Sequence, residues 1–90
     1  MGKYFIEIKE TAQKEMKQIQ KSGDKATIKK LELILIELEN HPTTGTGKPE
    51  QLKHELSGYW SRRLNKKDRL IYQILEKEVI VVIVSALDHY

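Results

Sequence analysis

The chain has 90 residues, a net charge of +3 and no cysteine. This length predicts a single domain over residues 1–90, with room for one sheet and one helical layer. The lack of cysteine excludes disulfides, thiolate metal sites and a cysteine nucleophile, and it fits a cytoplasmic protein. The longest apolar run, residues 79–84, is far shorter than the roughly 20 residues that span a bilayer, so no membrane partner is expected.

The first half of the chain predicts one strand followed by two helices. Residues 4–8 alternate apolar and mixed side chains, which is typical of a strand. Thr11 is the predicted N-cap of the first helix, and Gly23 ends it. Asp24 then caps a second helix that ends before Pro42, because proline disfavours helical backbone in the residue before it. The apolar side of this second helix is predicted to comprise Ile28, Leu31, Leu33, Ile34, Leu35, Ile36 and Leu38.

The second half predicts a loop and then three strands. Residues 43–50 show no periodicity, which indicates a surface loop. The predicted strands are residues 59–64, 69–75 and 79–86. Asn65 and Asp68 suit a hairpin turn between the first two of them. We therefore expect an α+β fold, a small antiparallel-rich four-stranded sheet with two helices on one face, whose other face is free for a large ligand.

Positive charge is concentrated in one stretch. Residues 48–69 hold seven Lys or Arg residues against three acids, including every arginine of the chain. A local excess of this kind suits a polyanionic partner such as RNA. A lysine-rich solvated surface is the alternative that charge alone leaves open.

The same stretch contains groups that could cleave RNA without a metal. That reaction needs a base for the 2′-hydroxyl, fixed positive charge for the phosphorane, and an acid for the 5′-oxygen. Glu50 is the candidate base, and Arg63 and Arg69 are the candidate cationic clamp, because arginine matches phosphate oxygens two at a time. His89 is the candidate acid, since histidine titrates near neutrality. Arg62 and Arg63 are adjacent in a predicted strand, so only one of them can face a given site.

Aromatic and histidine side chains offer further candidates. Those that could stack on bases are Tyr59, Trp60, Tyr72 and Tyr90. A place in the core is the alternative for Trp60. A metal site built from His41, His54 and His89 is only weakly indicated, because their spacing matches no standard zinc pattern. We expect neither a metal nor a cofactor.

Three segments carry a resemblance to a known family. They read GTGKPEQLKHELSGYWSRR (residues 45–63), DRLIY (68–72) and HY (89–90), and they resemble the YoeB/Txe toxins of the RelE/ParE superfamily of bacterial toxin–antitoxin modules. The resemblance implies a RelE-like microbial RNase fold. It also implies an mRNA interferase that cuts the codon in the ribosomal A site, leaving a 2′,3′-cyclic phosphate and a 5′-hydroxyl. A YefM-type antitoxin is the implied partner, and a homodimer is left open.

The resemblance also implies roles for individual residues. Glu50 matches the general base of the family, Arg69 its transition-state arginine, and His89 its general acid, with Tyr90 beside it. The RNA-binding or supporting positions are Arg63, Lys53, Arg62 and Lys48. A ParE-like gyrase-poisoning toxin is an alternative that uses the same fold without RNA chemistry, and a non-catalytic RNA- or ribosome-binding module is another.

The register of the predicted hairpin decides which arginines meet. Arg63 and Arg69 share a face only if the two strands pair them or hold an equivalent register. A four-residue loop over residues 65–68 would instead align Arg62.

Overall fold

The computed structural model describes residues 3–87 and folds them into two helices and five strands. In chain order these are β1 (Phe5–Ile8), α1 (Glu10–Lys21), α2 (Lys25–Leu38), β2 (Glu50–Gln51), β3 (Tyr59–Arg63), β4 (Arg69–Leu75) and β5 (Ile80–Ser85). A 3₁₀ turn, His54–Leu56, lies between β2 and β3. The α+β class is confirmed. All four predicted strands are present, and the two-residue β2 adds a fifth at the end of the predicted loop.

The five strands form one sheet in the order β1-β5-β4-β3-β2. β1 pairs with β5 in parallel, and the other three pairs are antiparallel, so the sheet is antiparallel-rich as expected. The parallel pair is possible because both helices connect β1 to the rest of the sheet. Of the helices in the described part of the chain, neither has the length and apolar character needed to cross a bilayer.

The core lies between the two helices and one face of the sheet. Its buried members come from both layers: Ala12, Met16 and Ile19 of α1; Leu31, Ile34 and Leu38 of α2; Leu70 and Tyr72 of β4; and Val81 and Ile83 of β5. The strand residues in this set alternate along each strand, which means that they occupy the same face. The helices therefore cover one face of the sheet, as predicted.

The helix boundaries differ in part from the prediction. α1 begins at Glu10 after Lys9, which forms no side-chain cap, so Thr11 lies inside the first turn and is not the N-cap. Asp24 is the N-cap of α2, as predicted, and its carboxylate accepts hydrogen bonds from the backbone N and the Oγ1 of Thr27 at 3.1 and 2.7 Å. The hydrogen bonds from Thr27 lower the pKa of Asp24 below its ordinary value.

The apolar side of α2 is narrower than predicted. Ile34 is fully buried, whereas Leu33 and Ile36 are 45% and 66% exposed. The buried residues of α2 are Thr27, Leu31, Ile34 and Leu38. Their spacing of three and four is that of a single helical face, so the run of consecutive apolar residues overstates how much of the helix the sheet covers.

Asn65 shapes the turn between β3 and β4. Its Oδ1 accepts hydrogen bonds from the backbone N of Lys67 and of Asp68 at 2.8 and 2.6 Å, while its Nδ2 donates to Thr27 Oγ1 at 3.1 Å. The backbone N of Leu64 donates to the carbonyl of Asp68 at 2.9 Å, which continues the ladder one pair beyond β3. The turn thereby sets the register of the hairpin and ties it to the start of α2.

We predict that Asn65→Ala lowers the free energy of unfolding by about 1–2 kcal/mol, because two backbone donors lose their acceptor and the link to Thr27 is lost. In a domain of this size the melting temperature should fall by roughly 5 °C or more. Thermal unfolding followed by circular dichroism measures the change. Lys66→Ala, in the exposed tip of the same turn, is the control. Equal melting temperatures for the two variants would contradict this account of the turn.

Candidate active site on the open sheet face

The face of the sheet opposite the helices, here called the open face, carries three of the residues predicted to cleave RNA, Glu50, Arg63 and Arg69. Along β3 the side chains alternate between the two faces. Trp60 packs against the core on the helix side. The residues of opposite parity on β3 therefore lie on the open face: Tyr59, Ser61 and Arg63. This position in the core confirms the alternative stated for Trp60.

The hairpin register places the two predicted clamp residues side by side. Arg63 pairs directly with Arg69, and Arg62 pairs with Leu70. The turn comprises Asn65, Lys66 and Lys67 between the paired Leu64 and Asp68, so the four-residue loop that would have aligned Arg62 does not form. Directly paired residues of an antiparallel sheet project from the same face, which puts both guanidinium groups on the open face.

Glu50 joins the arginines through the short strand β2. Glu50 pairs with Ser61 and is exposed. Ser61 and Arg63 are two residues apart along β3, a separation of about 7 Å between their Cα atoms. A carboxylate and two guanidinium groups therefore lie on neighbouring cross-strand rows of the open face. Ser61 and Ile71, which continue the row of Glu50 across β3 and β4, are buried, so the floor of this region is packed while its charged side chains are accessible.

The two paired arginines form no salt bridge within residues 3–87. Like charges directly opposite each other on a sheet are destabilising. A charge-balanced surface would have an acid at one of these positions. Each guanidinium has about five N–H donors, so the pair could bind an anion through several hydrogen bonds at once. Neither charge forms a salt bridge within residues 3–87 that would stabilise the fold.

Gly47 holds the approach to β2 close to β3. Its carbonyl accepts a hydrogen bond from the backbone N of Arg63 at 2.7 Å. Its φ of 86° is left-handed, and an added Cβ would lie 2.8 Å from the carbonyl oxygen of Arg63. Only glycine fits this contact without displacing backbone. Gly47, three residues before Glu50, thus packs directly against the backbone of β3, the strand that carries Arg62 and Arg63.

Arg62, predicted as an RNA-binding or supporting residue, is buried beneath the sheet. Its side chain is 0% exposed and lies on the helix side of the sheet, so the prediction that it contacts RNA is wrong. The guanidinium donates to the Glu37 carboxylate at 2.7 Å, to the carbonyl of Thr44 at 2.8 Å, and to the carbonyl of His41. Its Nε donates to Tyr72 Oη at 3.2 Å.

Glu37 completes the cluster around Arg62 from α2. Its carboxylate accepts hydrogen bonds from the backbone N and the Oγ1 of Thr46 at 2.8 and 2.7 Å. Burial alone would raise the pKa of Glu37, but the hydrogen bonds from Thr46 and Arg62 and the charge of Arg62 lower it below its ordinary value. The loop that leads to Glu50 is therefore wrapped around one buried ion pair.

Tyr72 belongs to the same cluster. Its side chain is 0% exposed, and its hydroxyl donates to the carbonyl of Pro42 at 2.6 Å. Burial raises its pKa, and the hydrogen bond and charge of Arg62 act in the opposite direction. Tyr72 is consequently a core residue and cannot stack on a base, whereas the half-buried Tyr59 lies on the open face beside Gln73.

One sequence signal could have placed Arg62 in the core. Trp60, Arg62 and Leu64 share one parity on β3, and two of the three are large apolar residues. Glu37 similarly lies beside the buried Leu38, one turn after Ile34. A basic residue on the inward face of a strand and an acid on the inward face of a helix predict a buried ion pair.

The remaining predicted residues fall in two groups. Lys48 and Lys53 are exposed and flank β2 on either side of Glu50. His89 and Tyr90 lie outside the described residues. Within residues 3–87 no three His, Asp or Glu side chains converge where a metal ion could bind.

Comparison with solved structures places this fold in a known class. A YoeB dimer from Staphylococcus aureus has a TM-score of 0.80 and 35% identity, and the match covers 98% of this chain and 99% of that one. A heterotetrameric YoeB–YefM complex from the same organism has a TM-score of 0.79 and 34% identity, over 97% of this chain and 98% of that one. The fold is that of the RelE/ParE toxins.

Sequence comparison narrows the class to a family. The profile described as "YoeB-like toxin of bacterial type II toxin-antitoxin system" matches residues 8–90. Toxin YoeB of Synechocystis sp. is 41% identical over 68 residues, which are 76% of this chain and 77% of that protein. The chain belongs to the YoeB-like toxins of bacterial type II toxin–antitoxin systems.

We predict that Glu37→Gln destabilises the protein by about 3 kcal/mol at neutral pH, because it leaves the buried Arg62 without a counter-charge. A carboxyl whose pKa is lowered on folding stabilises the folded state above its unfolded pKa, here 4.5, and loses that contribution as the pH falls through its folded pKa. The difference between the two proteins should therefore shrink below that pH. Urea unfolding across this range measures it, with Glu32→Gln, exposed on the same helix, as control. A difference that does not change with pH would contradict the assignment to this ion pair.

Proposed function

We propose that the protein is a ribosome-dependent mRNA endoribonuclease, the toxin of a toxin–antitoxin pair, that cuts the codon in the ribosomal A site. The observation that carries the proposal is the grouping, on one open sheet face, of an exposed carboxylate, Glu50, with Arg63 and Arg69, which form no salt bridge within residues 3–87. Membership of the YoeB-like toxins supports it.

The proposed reaction assigns each group a proton or a charge. Glu50 takes the proton from the 2′-hydroxyl, whose oxygen attacks the adjacent phosphorus. Arg63 and Arg69 hold the non-bridging oxygens and stabilise the charge of the phosphorane. The bond from phosphorus to the 5′-oxygen then breaks, and His89 gives that oxygen a proton, with Tyr90 beside it. The products are a 2′,3′-cyclic phosphate and a 5′-hydroxyl. The mechanism needs no metal.

The openness of this face gives a physical reason for dependence on the ribosome. Glu50 and Arg63 are exposed, so water competes for both until RNA covers them. Free RNA has many conformations, and only those with the 2′-oxygen in line with the leaving oxygen can react. A codon held in the A site presents a fixed backbone. Lys48 and Lys53, on either side of β2, are the proposed contacts for the flanking phosphates.

The proposed partners follow from the relatives. The YoeB proteins of Staphylococcus aureus occur as a dimer and in a heterotetrameric YoeB–YefM complex. For this chain we propose a YefM-type antitoxin that covers the open face, and a second copy of the toxin as a further partner. An acidic segment of the antitoxin would neutralise the arginine pair, which forms no salt bridge within the described part of the chain.

We predict that Glu50→Ala lowers the rate of mRNA cleavage on programmed ribosomes by about a hundredfold or more, because the 2′-hydroxyl loses its base. Glu55→Ala, an exposed glutamate in the next turn of the chain, is the matched control and should retain the full rate. Primer extension on the mRNA measures cleavage. Full cleavage activity of Glu50→Ala would contradict the proposed mechanism. Arrest of translation with intact mRNA would favour a binding module, and DNA damage without mRNA loss would favour a gyrase poison.

We predict that Arg69→Ala lowers the cleavage rate by roughly a hundredfold, because phosphorane charge loses one of its two guanidinium partners. Arg69→Lys should recover only part of this loss, since an ammonium keeps the charge but not the two-point contact. Lys77→Ala, in the exposed turn between β4 and β5, controls for the loss of one positive charge. Primer extension on the mRNA measures the cleavage rate of each variant. If Arg69→Lys cleaves as fast as the unaltered protein, positive charge alone is sufficient at this position, and the two-point contact is not needed.

A further inference from the structure

A buried glutamate lies where the last strand ends. Glu15 of α1 is 6% exposed, on the helix face that also presents Ala12, Met16 and Ile19 to the core. Its Oε1 accepts a hydrogen bond from the backbone N of Ala86 at 2.8 Å. The hydroxyl of Ser85 lies 3.1 Å from the same oxygen.

The position of this carboxylate is not explained by packing. The spacing of the buried face would suit an apolar residue, and burying a carboxylate is costly unless donors satisfy it. Two of its donors come from the exit of β5, where the ladder with β4 shifts register at Ile71 and Tyr72 and then ends. The Ala86 N–H lies just past the last residue of the strand, and the carboxylate supplies its acceptor. A hydrogen bond to a charged acceptor is stronger than one to a neutral acceptor.

Ser85 also contacts Leu87, two residues further along the chain. Its hydroxyl is also 2.7 Å from the carbonyl of Leu87, and its single proton goes to one of these two acceptors at a time. Both arrangements fix the direction in which the chain leaves the sheet. Glu15 therefore sets the first step of the C-terminal segment from a rigid helix.

We propose that Glu15 is a positioning residue for cleavage, which acts by holding the segment that delivers the acid His89. The proposal rests on the proposed function. Ala86 lies three residues before His89, a stretch of at most about 10 Å when extended. Because this tether is short, the position of Ala86 limits where His89 can lie, and a misplacement of about 1 Å can cost a hundredfold in rate.

The test compares Glu15→Leu with Glu15→Gln in single-turnover cleavage of mRNA on programmed ribosomes. Leucine removes the acceptor, and glutamine keeps an accepting oxygen in the same place. We expect Glu15→Leu to lower the rate at saturating toxin by roughly tenfold to a hundredfold, with the half-saturating concentration within about twofold. Glu15→Gln should recover most of the rate. Glu10→Leu, exposed on the same helix, is the matched control.

A purely structural role is distinguished by Met16→Ala, which removes core packing from the next residue of α1. It should lower the melting temperature and leave the saturated rate of the folded protein unchanged. Should Glu15→Leu fail to fold, as circular dichroism would reveal, Glu15→Ala gives the same comparison without added bulk.

Each outcome has a definite meaning. If Glu15→Leu cleaves at the same saturated rate as the unaltered protein, the inference is overturned and the proposed function is unaffected. A loss in Met16→Ala as large as that in Glu15→Leu also overturns it, because stability would then explain both. Absence of cleavage by the unaltered protein overturns the proposed function itself, and the inference with it.

Discussion

The guanidinium of Arg62 is the constraint on which the rest of the arrangement depends. A charge that is 0% exposed must have its hydrogen bonds and a counter-charge supplied by the protein, or it costs several kcal/mol. Glu37 provides the charge from α2, and the carbonyls of His41, Thr44 and Thr46 provide acceptors from the loop. A loop without regular structure thereby acquires one conformation. Because Arg63 follows Arg62 on the strand, burying one arginine also forces its neighbour onto the open face.

Each helix contributes one acidic side chain from its inward side, and each acid serves a segment that flanks the open face. Glu37 binds the loop that leads to Glu50. Glu15 binds the exit of β5, which leads to the end of the chain. Neither acid lies on the open face itself. The helical layer thus does more than cover the core, because it fixes two irregular segments that a sheet ladder cannot hold.

Periodic segments could be predicted from the sequence, and short irregular ones could not. The strands β3 and β4 and the cap at Asp24 depend on local patterns, and all three predictions are confirmed. β2 was missed because two residues carry no periodicity, and its pairing depends on Gly47 approaching β3. Arg62 was misplaced because a concentration of charge was read as surface. The grouping of Glu50 with the arginines depends on two pairings together, that of β2 with β3 and that of β3 with β4, whose register the turn at Asn65 sets.

The arginine pair shows why the open face differs from the rest of the surface. Elsewhere in residues 3–87 the exposed cations are lysines, two of which form ion pairs, Lys9 with Glu7 and Lys14 with Glu10. The register holds the Cα atoms of Arg63 and Arg69 opposite each other, so the two like charges are confined to one small area of the open face. An anion that bridges both side chains would reduce their repulsion and gain hydrogen bonds from both. The spacing of the two backbone positions that carry these charges is therefore set when the chain folds, before any partner arrives.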